Sequence, residues 1–270
     1  MRNWYKFLIL NKLNKNNKDD RFLFTNNQLI NNNENIENFS KFENFKKNKV
    51  LFTQYNFLKN NLDSNKETLF IASSWGQTEF FLKDKFKILA SDVEDEYVAF
   101  HKKKTDLNYI KLDILDLENQ SLKYEQIVVN NLEYLFDQTQ LNKCIENISK
   151  ISKPGAKIYV IFRSRDSFLI KLIDHIFTFF ETYLIYLIKK IYKKVYFVKR
   201  HHGFRRSLRQ LKKIWINNNF KLEKLYEDLY EDEYNRLRII KYFKIFYFIS
   251  FILLRSNPYL NILIFKNLNK

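Results

Sequence analysis

The sequence predicts an α/β fold built on a doubly wound, mostly parallel sheet, and three observations predict it. Between Thr68 and Phe162, short apolar runs alternate with stretches of helical spacing, the pattern of repeated strand–helix units. The first of these runs enters its helix through a turn of mostly small residues, Ser73-Ser74-Trp75-Gly76. Polar residues then stand at the carboxyl ends of five successive strands: Ser73/Ser74, Asp92, Asp113, Asn130/Asn131 and Arg163. In an open parallel sheet those ends share one edge, where ligands bind.

Taken in order, residues 1–62 are rich in Asn and Lys with scattered aromatics. Phe39, Phe42 and Phe45 recur every three residues, as on one face of a helix, and the segment reads as an N-terminal helical lid on a domain spanning 63–270. The strands read as Thr68–Ala72, Phe86–Ser91, Asn108–Leu112, Glu125–Asn130 and Lys157–Phe162. The helices fall near Gln77–Lys83, Asp95–Lys104 and Gln138–Ile151. Leu69-Phe70-Ile71-Ala72 is a short apolar run, the form a buried parallel strand takes, and Phe86–Ala90 is a second apolar strand. Further on, Ser207–Asn217 reads as a helix, Phe220–Glu227 as a sixth strand and Leu260–Lys266 as a closing strand. Tyr242–Leu254 is a short apolar helix or surface segment that Pro258 breaks.

The stretch from Glu67 to Asp92 carries the functional reading. A strand that opens a helix through a small-residue turn leaves backbone N–H groups unpaired at the helix start, where an anionic or polar ligand can be held. Asp92 lies 20 positions after Ala72, the spacing at which an acid accepts hydrogen bonds from a ribose. A nicotinamide fingerprint would place glycines where Ala72, Ser74 and Gln77 stand, and Gln77 fails the packing requirement of the last. A phosphate-binding loop would end in Gly-Lys-Ser/Thr, which is absent.

Four motifs in the right order then resemble one family. LFIASSWGQTE, ILASDVED, YIKLDILDL and the run YEQIVVNNLEYLF…ISKPGAKIYVIF resemble the core of the class I S-adenosylmethionine-dependent methyltransferases, and Lys153-Pro154-Gly155-Ala156 is similar to the turn before that family's fifth strand. The resemblance covers residues 68–162. It implies a Rossmann-like, seven-stranded sheet with the last strand antiparallel, S-adenosyl-L-methionine as cofactor, and in-line methyl transfer as the reaction. It further implies that Ala72, Ser73, Ser74, Trp75 and Gly76 line the methionine part of the cofactor. Asp92, beside Val93, would hold the ribose; Asp113 and Ile114 would frame the adenine; Asn130 and Asn131 would face the methyl-transfer region. The family's turn carries three glycines, whereas here Ala72 and Ser74 occupy the first two positions and only Gly76 remains. Ala and Ser permit close backbone approach there if their φ angles are negative.

Catalytic residues are harder to read, because methyl transfer depends mainly on orienting donor and acceptor. His201 and His202 are candidates for a base, since imidazole titrates near neutrality, and Tyr134 and Arg163 are weaker ones. The four His and one Cys have no metal-ligand spacing, so no metal is expected.

Residues 164–205 form an apolar, then basic, helical insertion after the fifth strand. From Lys189 to Trp215 there are eleven Lys and Arg residues and no Asp or Glu, which carries most of the net charge of +17. Three readings stay open for this stretch: a solvated basic face, a membrane-surface element spanning 168–215, or a nucleic-acid-binding patch. No motif of a nucleic-acid-binding domain accompanies it. The expected acceptor is a small molecule, a sugar or a lipid-linked intermediate. A non-catalytic binding protein on the same fold, or a basic nucleic-acid-binding protein, is the alternative. Phe7–Leu10 is too short an apolar run for a signal-peptide core, and no segment reaches roughly 18 uncharged apolar residues, so a cytoplasmic protein is expected, peripheral at the membrane if the basic stretch binds one.

Overall fold

The computed structural model describes residues 39–117, 122–163, 206–227 and 260–269. His201, His202, the 164–205 insertion and Tyr242–Leu254 lie outside the described residues. The elements are α1 (Phe42–Lys47), α2 (Lys49–Asn61), β1 (Glu67–Ile71), α3 (Gln77–Leu82), β2 (Lys87–Asp92), α4 (Asp95–Lys104), β3 (Tyr109–Lys111), β4 (Tyr124–Asn130), α5 (Gln138–Lys150), β5 (Ser152–Arg163), α6 (Leu208–Asn217), β6 (Phe220–Glu227) and β7 (Leu260–Asn267). They form an open seven-stranded sheet in the order β3-β2-β1-β4-β5-β7-β6. β1 to β5 pair in parallel, and β7 runs antiparallel to both neighbours. The expected seven-stranded, mostly parallel sheet is the one observed.

Side-chain alternation divides the core into two layers. Leu69, Ile71, Ile127, Val129, Ile158, Val160, Leu263 and Phe265 face one side, where α5 and α6 pack. α5 sends Leu141, Cys144, Ile145 and Ile148 down at helical spacing, and α6 sends Leu208, Leu211 and Trp215. Phe70, Ala90, Val128, Tyr159, Ile161, Ile262 and Ile264 face the other side, beneath residues of α1, α2, α3 and α4. Phe45 of α1 and Leu58 of α2 are wholly buried there, so these N-terminal helices form part of the layer covering the sheet face. The chain entering α1 reaches the carboxyl edge at Phe39, whose carbonyl accepts from Gln77 Nε2 at 3.0 Å.

Both long helices on the first side begin with reciprocal caps. Asp137 accepts from Gln140 N at 2.8 Å while Gln140 Oε1 accepts from Asp137 N, and Ser207 and Gln210 repeat the arrangement. The turn expected at Lys153–Ala156 is a four-residue excursion inside β5. Tyr124 pairs with Ser152 and Gln126 with Lys157, and Gly155 takes φ +75° to make the excursion.

Candidate cofactor site

The strand order reverses between β1 and β4, and the site forms at the carboxyl edge of that switch point. β1 stops at Ile71 because Ala72 turns to φ 59°; Ser74 follows at 53° and Gly76 at 57°. The condition of negative φ at Ala72 and Ser74 is therefore not met. All three family glycine positions take the left-handed conformation, and the two side chains are carried at a steric cost of roughly 1–2 kcal/mol each. Gly76 is constrained by space as well. A Cβ there would lie 3.2 Å from His101 Nε2, 3.2 Å from Leu107 Cδ2 and 3.3 Å from Tyr109 Cε2.

Hydrogen bonds from three neighbouring elements hold this turn. Ser73 N donates to Ser91 O at 2.9 Å, and Gly76 N to Ser73 O at 2.9 Å. The Tyr109 hydroxyl donates to Ser74 O at 2.7 Å. His101 Nε2 donates to Trp75 O at 3.1 Å, which leaves Nδ1 to accept from the Thr105 hydroxyl at 2.8 Å. The imidazole stacks on Tyr109 with centroids 4.4 Å apart. Burial lowers the His101 pKa to about 4, with the Trp75 carbonyl acting against it, so the ring is neutral under ordinary conditions. The Trp75 indole packs edge-on against Tyr97 and Phe100 of α4.

Asp92 is joined directly to the turn. Its Oδ2 accepts from Ser74 N at 2.8 Å, and its Oδ1 from Val93 N at 2.8 Å and Glu94 N at 3.3 Å. Burial raises its pKa from the usual carboxylate value, and these three N–H groups counter the shift. Asp113 at the end of β3 turns back on its own loop, accepting from Leu115 N at 2.9 Å. The Ile114 side chain is buried in the first core layer, and its carbonyl accepts from Asn147 Nδ2 of α5 at 2.8 Å.

At the end of β4, Asn131 takes φ 48° and its N–H donates to Ile161 O at 2.9 Å. Asn130 Nδ2 donates to Glu79 Oε1 at 3.2 Å. The oxygens Asn130 Oδ1 and Asn131 Oδ1 are buried and have no hydrogen-bond partner among the described residues. Tyr134 lies in the 3-10 turn Leu132–Tyr134 that follows. Arg163 ends β5 with its backbone opposite Leu260. Arg206, just before α6, donates to the carbonyls of Glu133 and of Phe136, the latter at 2.7 Å, and so ties the β4–α5 loop to the entry of α6.

The structure thus brings Ala72–Gly76, Asp92 and Asn130 into one bonded neighbourhood around β1. Asp113 follows β3, two strands from β1 on one side, and Asn131 follows β4, its neighbour on the other. Sequence reasoning missed Glu79, His101 and Arg206. Glu79 is only 2% exposed, and its pKa rises to about 7, chiefly through burial. A signal for two of them existed. Glu79 stands three residues before Leu82, and His101 three after Val98, so both share the apolar face of their helix.

Among the described residues there is no group of three or more His, Cys, Asp or Glu placed to hold a metal ion, and no helix is long and apolar enough to cross a membrane.

No family model matches the sequence, and no curated protein matches it. Solved structures do match. An S-adenosylmethionine-dependent methyltransferase from Archaeoglobus fulgidus is 13% identical over 80% of this chain and 94% of its own, with a TM-score of 0.53. One from Methanosarcina mazei is 16% identical over 79% of this chain and 98% of its own, with a TM-score of 0.52. One from Mesorhizobium loti is 10% identical over 78% and 96%, with a TM-score of 0.50. The chain therefore has the Rossmann-like fold of these proteins.

Proposed function

We propose that the protein is an S-adenosylmethionine-dependent methyltransferase. The observation that carries the reading is the bond from Ser74 N to Asp92 Oδ2 at 2.8 Å, which joins a left-handed turn after β1 to the acid that ends β2. The residues present suit such a cofactor. The partnerless buried oxygens of Asn130 and Asn131 supply acceptors at the strand end adjacent to the turn.

In this reading the turn Ala72–Gly76 holds the methionine part, Asp92 the ribose hydroxyls, Asp113 with Ile114 the adenine, and Asn130 and Asn131 the reacting end. When bound, the sulfonium donor supplies an electrophilic methyl group. The protein's own contribution is orientation: strand ends fixed in one sheet present fixed hydrogen-bonding groups, and no side chain need form a covalent bond. A base is required only where the acceptor must lose a proton. His201, His202 and Tyr134 remain the candidates for that role.

The acceptor is a small molecule, a sugar or a lipid-linked compound. The 164–205 insertion contributes to its binding, and residues 1–62 serve as a lid whose described end reaches the site at Phe39. Contact with a membrane surface would run through 168–215, where cationic and aromatic residues interleave.

Calorimetric titration with S-adenosylhomocysteine tests the cofactor reading. Micromolar binding is expected. Asp92→Asn, which keeps one oxygen to accept from the backbone, should weaken it roughly 10- to 100-fold, the value of one charged hydrogen bond. No binding by the folded protein would refute the reading and favour a non-catalytic protein on this fold, for which Ala72 and Ser74 in place of glycine would be the cause.

A further inference from the structure

Glu79 lies in the first turn of α3, three residues after Gly76, yet it is almost completely buried. Its carboxylate meets three donors: its own backbone N–H, the Ser73 hydroxyl and the Asn130 amide, the last at 3.2 Å. The charge it feels is of like sign, from Asp92 at the end of β2, and the Tyr109 phenol of β3 is within electrostatic reach. Among the described residues none of the groups acting on it is a cation, and Lys49 and Lys59 of α2, which packs on α3, are not among those groups. On the far side of the same amide, Asn130 Oδ1 is buried without a partner among the described residues. An acidic side chain has thus been placed where it touches one end of an amide and leaves the other end unused.

The two protonation states of a carboxyl group demand different partners. A carboxylate only accepts, so it holds the amide N–H₂; a carboxylic acid also donates, and the amide carbonyl is then its match. The two ends of an Asn side chain have nearly the same shape, so rotation about its last bond exchanges them at little steric cost.

We infer that Glu79 is a positioning residue whose protonation state decides which end of the Asn130 amide is offered to a ligand at the carboxyl edge. Ionised Glu79 holds Nδ2 and offers the oxygen; protonated Glu79 takes the oxygen and offers N–H₂. The offered oxygen, on an amide held by a buried negative charge, selects a ligand bearing a primary ammonium. The offered N–H₂ does not. This inference rests on the cofactor reading above for the identity of that ligand, since the methionine part of the cofactor carries an ammonium. Burial raises the Glu79 pKa to about 7, so the exchange falls within the ordinary working range.

The consequence is proton-linked binding. With only the ionised form competent, affinity for S-adenosylhomocysteine rises roughly eightfold from pH 6 to pH 7.5, while the ligand's ammonium stays charged. Calorimetry in buffers of different ionisation heat should show about half a proton released per ligand bound at pH 7. Glu79→Gln, which keeps the shape but cannot ionise, should bind with the same affinity from pH 6 to pH 7.5. A flat wild-type profile, or a pH dependence retained in Glu79→Gln, would overturn the inference.

A ligand-free readout separates this failure from failure of the cofactor reading. In ¹³C-labelled protein, one Glu carboxyl resonance should titrate near pH 7, the Asn130 side-chain amide should shift with the same midpoint, and both changes should vanish in Glu79→Gln. If these titrations are present and S-adenosylhomocysteine does not bind, the exchange stands and the cofactor reading falls. If they are absent, the exchange falls whatever binds.

Discussion

Ala72 and Ser74 hold left-handed backbone that glycine would adopt without strain. Replacing either by Gly removes that strain but loosens the unfolded chain. The net expectation is a gain of roughly 0.5–1 kcal/mol for each, read from denaturant midpoints; a loss would contradict the turn geometry. Gly76→Ala should do the reverse, because its Cβ meets His101, Leu107 and Tyr109 as well as a positive φ. Glu79 and His101 give the protein two opposed pH dependences. An acid whose folded pKa is raised to about 7 stabilises the fold below its unfolded value of 4.5, and that stability is lost as pH climbs through 7. The loss is on the order of 3 kcal/mol. A His whose folded pKa is lowered to about 4 does the opposite: its stability is present above the unfolded value of 6.5 and is lost as pH falls toward 4. Glu79→Gln removes only the first. Its stability relative to wild type should therefore rise by on the order of 2–3 kcal/mol between pH 5 and pH 8, measured by urea melts. These residue-level features were the least legible in the sequence. Nothing about an Ala or a Ser announces a positive φ, and a Glu on a six-residue helix looks solvated until its neighbours are known.

The elements were far more legible, because each follows from local patterns that survive folding. The strands are apolar runs, and a doubly covered sheet needs them apolar on both faces. The two capped helices α5 and α6 carry their start signals in sequence, Asp137 with Gln140 and Ser207 with Gln210. Asp137→Ala should cost about 1 kcal/mol in thermal or denaturant unfolding, the usual value of a cap. β5 was read short. Its first residues pair with β4 before the Lys153–Ala156 excursion, and a Pro-Gly pair argues for a turn whether or not the strand resumes. Arg206 could not be read at this scale either. It sits within a run of eleven cations, and its carbonyl partners, Glu133 and Phe136, lie about 70 residues away. Arg206→Met leaves those buried carbonyls short of a donor. A loss of about 1–3 kcal/mol is expected, with faster hydrogen exchange in the β4–α5 loop.

At the scale of the molecule, one decision organises the site. The strand order turns around between β1 and β4, so residues far apart in sequence — Ser74, Asp92 and Asn130 — come to one edge. That order was not read from the sequence, since alternating apolar runs specify parallel strands but not which strand lies beside which. The most direct test of the site is amide chemical-shift mapping of ¹⁵N-labelled protein titrated with S-adenosylhomocysteine. The account predicts perturbations concentrated at Ser73–Gly76, Val93, Leu115 and Asn130–Asn131, the turn and strand ends around β1. Perturbations confined to other surfaces, or none in a folded protein at millimolar ligand, would contradict a cofactor site at this edge.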